Sequence, residues 1–152
     1  MEPDGIMAGV GEGIAAGQRG ERELARSILG ELWVRAERGE GDAFHRCAIA
    51  HSLADVQDDA EVELAWDRRA LAAADEVTDE QLAAVGSVGT VQALYPSLHL
   101  NLADVHARLG DPDRAREHVR LGRESLEALP DDGYRAMIQD ALTRIAADLD
   151  QP

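Results

Sequence analysis

His51 and Asp55 stand four residues apart, so on a helix they share one face. An imidazole beside a carboxylate is the base half of a hydrolase site, and Ser52 and Cys47 are the local nucleophile candidates. No nucleophile elbow or helix-start cysteine accompanies them, and Cys47 falls on the apolar side of its helix, where a small core residue is expected. Five imidazoles, His45, His51, His99, His106 and His118, raise metal binding as a second chemistry. No two of them are four apart and there is no second Cys, so the spacing is not that of a ligand set. His99 and His106, two turns apart on one face, read more simply as partly buried, hydrogen-bonded rings. Gly9, Gly11 and Gly13 imitate a phosphate loop, but no strand precedes them and no Lys-Ser or Lys-Thr follows. Arg116, Arg120 and Arg123 form a stripe interleaved with Asp113, Glu117, Glu124 and Glu127. That pattern suits a solvated, self-paired helix face, with a phosphate or acidic partner as the sharper alternative.

Every one of these groups needs a helix to place it. Ala, Leu, Glu and Arg dominate the 152 residues, and aromatic residues are only 3%, which favours helix over strand. Apolar residues recur at spacings of three and four throughout. Ala115, Val119, Gly122, Leu126 and Leu129 trace one face of a helix over 113–128, with Pro112 in its first turn and Pro130 beyond its end. The same spacing predicts helices over 21–37, 43–57, 61–75, 78–85 and 133–149. Residues 91–109 read as one helix in which Pro96 marks a kink or the true start. Residues 1–18 have helical spacing weakened by five glycines, which permit either tight packing or fraying.

Thirty acids against 15 bases, all Arg, give a net charge of −15, which disfavours nucleic acid as a partner. The opening Met1-Glu2-Pro3-Asp4 lacks the basic start of a signal peptide, and no apolar run is long enough for a membrane span. A single Cys fits a reducing, cytoplasmic setting. An Arg-only, Ala-rich composition suggests a GC-rich bacterial genome.

An internal echo organises the chain. Leu53-Ala54-Asp55-Val56 recurs 49 residues later as Leu102-Ala103-Asp104-Val105. Gly20-Glu21 with Ala25 matches Gly110-Asp111 with Ala115. Repeated helix–turn–helix units of this kind stack, because one hairpin cannot bury its apolar stripe alone.

The residues resemble the tetratricopeptide repeat family. Residues 96–129 carry the resemblance best: Leu102 and Ala103 in the paired packing positions, Gly110-Asp111 at the turn, and Ala115 and Val119 on the second helix. His99, His106 and Gly122 replace the usual Trp, Tyr and Ala. The resemblance implies an all-α fold. It would be a right-handed α-solenoid of about three hairpins (5–38, 44–76, 96–129) with a capping helix at 133–149, together one domain over 1–152. About 15 residues beyond the regular spacing, including a loop at Gly86-Ser87-Val88-Gly89, precede the third unit.

The family's first helices line a concave groove. In the third unit the groove positions are Ser97, Leu100, Asn101, Asp104 and Arg108, and in the second they are Ala48, His51, Ser52, Asp55 and Asp58. The resemblance therefore implies a non-catalytic module that binds a protein or peptide segment, without a cofactor. Asn101, the only Asn, offers both a donor and an acceptor to a ligand backbone. Asp55 and Asp104 favour a partner with basic residues. With no Lys and with these acids on the wall, capture of a terminal carboxylate, as in the family's chaperone-type members, is not expected. Three other functions compete: a small-molecule or peptide sensor acting through a partner protein, an enzyme or metalloprotein using His51 and Asp55, and a homodimer paired through end repeats or the last helix.

Overall fold

The structure, a computed structural model, describes residues 4–87 and 89–151; Met1–Pro3 and Val88, within the 86–89 loop expected from sequence, lie outside them. The described residues are all-α, with eight α-helices and no strand. They form two compact units, divided after Ser87: residues 4–87 and 89–151.

In the first unit, α1 (Gly5–Gln18) packs on α2 (Arg22–Arg35), α2 on α3 (Ala43–Asp55), and α3 on α4 (Ala60–Ala74). Asp4 starts α1 by accepting from the backbone N–H groups of Ile6 and Met7, both at 3.1 Å, which satisfies two otherwise orphan donors. Gly9 and Gly13 of α1 serve close packing. A Cβ on Gly13 would come within 2.6 Å of Leu29, and one on Gly9 within 2.9 Å of Leu32. Leu29 is fully buried, so α1 lies as near to α2 as it does because those positions have no side chain. Trp33 meets Trp66 edge-on at 5.1 Å, joining α2 to α4 beside this core. A short α5 (Asp79–Ala84) follows, started by a reciprocal pair of bonds between Thr78 and Gln81.

Two turns show why the Gly-acid echo recurs. Gly20 and Gly110 sit at φ +83° and +78°, a left-handed conformation that costs a residue with a Cβ roughly 1–2 kcal/mol. Each ends its helix with the same long bond: Glu21 N–H to the Ala16 carbonyl, and Asp111 N–H to the His106 carbonyl, both at 2.9 Å. Five residues on, Ala25 and Ala115 are both fully buried.

The turn after α3 has no glycine and solves the same problem from outside. Arg26 donates to the Val56 carbonyl at 2.7 Å and Arg22 to the Gln57 carbonyl at 2.8 Å, while both pair with Asp58. Two arginines of α2 thus cap the end of α3 and fix one hairpin against the next.

The second unit holds α6 (Tyr95–Arg108), α7 (Pro112–Ser125) and α8 (Gly133–Leu149), each packed on the other two. The single helix expected over 91–109 is divided: a 3-10 turn covers Val91–Leu94 and α6 begins at Tyr95. Pro96 decides this, because its missing N–H is harmless only in a first turn. The helix expected over 113–128 likewise ends at Ser125 and tightens to a 3-10 turn at Leu126–Ala128. Ile138 and Leu142 of α8 are buried against Ala103 and Val119, and Leu142 fills the space that a side chain at Gly122 would take.

Candidate functional site

Leu102, Ala103 and Val105 turn into the core of the second unit, which leaves Leu100, Asn101 and Asp104 on the flank of α6 that faces α8. There they meet Ala141, Arg144, Ile145 and Asp148, spaced three, one and three residues apart along one side of α8. The two helices enclose an open recess of about 310 Å³. Leu100, Ala141 and Ile145 supply its apolar surface, Asn101 an amide, Asp104 and Asp148 carboxylates, and Arg144 a guanidinium. Arg108 donates to Asp104 from both Nε and Nη2 at 3.0 Å, one turn along α6. The pair is about half exposed, so it is a weak surface contact that another cation can displace.

Ser97, expected on the same wall, does not line this recess; its hydroxyl donates to the Leu94 carbonyl at 3.4 Å, at the start of α6. Arg108 does not line the recess but pairs with its Asp104.

In the first unit, Ser52 and Asp55 line a second recess of about 250 Å³ with Gly17 and Gln18 of α1 and Arg22 of α2. Ser52 is buried and Asp55 exposed, whereas His51 is half-buried and not among the lining residues. Asp58 is occupied by Arg22 and Arg26 in closing the α3 turn. Cys47 lies in the core, where burial pushes its thiol up to about 12. Burial of this kind disfavours the thiolate, the opposite of what activates a cysteine nucleophile.

Four of the five imidazoles fall into two settings. His45 spans two helix starts: its Nδ1 accepts from the Asp42 backbone N–H at 3.0 Å, and its Nε2 lies 2.6 Å from Asp4. Burial acts to raise the Asp4 carboxyl, but the hydrogen bonds from His45, Met7 and Ile6 and the charge of His45 hold it below its usual range.

In the second unit His99, His118 and His106 form a column. The ring centroids of His99 and His118 are 5.3 Å apart, and those of His118 and His106 are 5.6 Å apart and nearly parallel. Tyr95 stacks on His99 at the outer end. The Nδ1 atoms of His99 and His118 are 3.0 Å apart, so one ring donates and the other accepts. Burial, followed by repulsion from His99 and His106, pushes the middle ring, His118, down to about 4. Among the described residues no group of three or more His, Cys, Asp or Glu side chains is placed to hold a metal ion. No described helix is long and apolar enough to cross a membrane.

Compared with family models, with curated proteins and with solved structures, the chain finds no match.

Sequence reasoning overlooked three features. The link between His45 and Asp4 joins residues 41 apart, and the bond between His99 and His118 joins residues 19 apart. Asp67 is almost completely buried on α4. In a chain so acidic, one more acid reads as surface, and only the Ala-rich surroundings on α4 hinted otherwise. The partners that α8 brings to Leu100, Asn101 and Asp104 had no local signal at all.

Proposed function

We propose that the protein is a non-catalytic interaction module, a degenerate tetratricopeptide-like protein that binds a peptide segment bearing basic residues. The recess of the second unit carries this reading: an apolar floor, the only Asn of the chain, and two carboxylates on opposing helices, with Arg144 beside them. An extended peptide is held by such a surface through backbone bonds to the amide and an apolar anchor on Leu100 and Ile145. Its guanidinium or ammonium group displaces Arg108 from Asp104. The net charge of −15 draws a cationic segment in and turns an anionic one away.

The repeat assignment rests on the two matching glycine turns and on the shared pattern of Leu53-Ala54-Asp55-Val56 and Leu102-Ala103-Asp104-Val105. In both copies the Asp is exposed and the other three residues are buried. The recess at Ser52 and Asp55 is the corresponding surface of the first unit, with Arg22 beside the acid.

A displayed library of short peptides tests the reading. Selection on the wild-type protein is expected to enrich Arg or Lys next to an apolar residue. Joint replacement Asp104→Arg and Asp148→Arg should weaken the selected peptides by at least about tenfold while circular dichroism stays helical. Equal binding by the helical double variant would remove this recess from the function.

A further inference from the structure

The arginine stripe of α7 surrounds a different recess, on another flank of α8. Arg116, Arg120 and Arg123 lie at spacings of four and three, so all three guanidiniums rise from one helix face. Below them Val119 of α7 and Ala146 and Leu149 of α8 form an apolar floor. The recess has a volume of about 360 Å³, within the range of about 300–1,000 Å³ that small ligands occupy.

The arginines differ in their engagements. Arg116 donates to the Leu149 carbonyl at 3.0 Å and so ties the end of α8 to α7. Arg120 is clamped by Glu117 at 2.6 Å and Glu124 at 2.7 Å, which fixes its planar fork in place. Arg123 is exposed and makes no ion pair among the described residues. Glu124 and Asp150 line the recess with the three guanidiniums, and Glu117 and Asp113 engage Arg120 and Arg116 from beside it. Arg123 is the guanidinium that no acid among the described residues engages.

We propose that this recess binds a small monocarboxylic acid with an apolar body, the carboxylate on Arg123 and the body on Val119, Ala146 and Leu149. The chemistry selects this class. A guanidinium meets a carboxylate through two parallel bonds, and Arg123 offers one guanidinium for one carboxylate. A phosphate monoester carries nearly a second charge, which Glu124 and Asp150 repel. An amine would meet Arg123, which no acid among the described residues offsets. A purely polar acid would leave the apolar floor wet.

Octanoate titrated into the isotope-labelled full-length protein tests this by amide chemical shifts. Saturable one-to-one shifts are expected at Val119, Arg123, Ala146 and Leu149, with octylamine and octyl phosphate at least about tenfold weaker. Arg123→Gln removes an exposed group without an ion pair, so the fold is expected to persist, read from the unchanged remainder of the spectrum. It should weaken octanoate by about tenfold, and Arg123→Lys should recover part of the loss. Absence of saturation by about 10 mM octanoate overturns the proposal, as does equal binding of octylamine or of Arg123→Gln. Tighter binding of a peptide ending in a leucine carboxylate would assign the recess to a protein terminus and overturn it equally.

Discussion

His118 is the residue whose surroundings most alter its chemistry. It stands between His99 and His106 of α6, with Glu117 and Arg114 of its own helix nearby and Asp111 4.0 Å from His106. A charge on the middle ring is opposed first by burial and then by both neighbouring imidazoles and Arg114, and only Glu117 favours it. The folded protein therefore takes up this proton near pH 4, whereas the unfolded chain takes it up near pH 6.5. The sign follows: the ring's contribution to stability is intact above about pH 6.5, drains away as pH falls toward 4, and declines no further below that. Proton NMR is expected to place the His118 midpoint near 4. The difference in melting temperature between the wild type and His118→Gln should shift against the wild type between pH 6.5 and 4. A His118 midpoint at the ordinary value would mean that the column is wet and open. None of this is visible in a list of five histidines, because the bond between His99 and His118 exists only once α6 and α7 are packed.

Among the elements, α1 shows how one residue type can mean two things within fourteen residues. Gly13 is pressed against Leu29, and Gly11 has nothing within 4 Å of where its Cβ would be. Gly13→Ala should destabilise the protein by about 1–3 kcal/mol in urea unfolding, because the fully buried Leu29 has nowhere to move. Gly11→Ala should stabilise it by about 0.5–1 kcal/mol through helix propensity alone. A stabilising Gly13→Ala would show that α1 does not pack tightly on α2. Helix ends, by contrast, were largely readable from residue types. Asp, Thr and Gly at the caps and Pro in first turns act through the neighbouring backbone, so they keep their meaning without tertiary context. Where that local chemistry was missing, after α3, arginines from another helix replaced it.

For the molecule as a whole, charge is the dominant quantity. An excess of 15 negative charges repels itself in any compact state, and the surface ion pairs of α7 offset only part of it. Raising sodium chloride from about 10 to about 150 mM shortens the screening length from about 30 to about 8 Å. Relief of about 1 kcal/mol of repulsion should then raise the melting temperature by roughly 3 °C, measurable by calorimetry. A fall over the same range would mean that ion pairs outweigh the repulsion. Residue order alone established the helical class, most of the helix positions and the two glycine turns. All of these follow from interactions within about four residues of the chain. Packing decided the rest: which flank of α6 meets Arg144 and Asp148, that Ser97 stays outside, that three imidazoles stack, and that Arg123 is left without an acid. Those outcomes depend on where α8 and α7 settle against α6. That is a balance of many distant apolar contacts, and no short stretch of sequence records it.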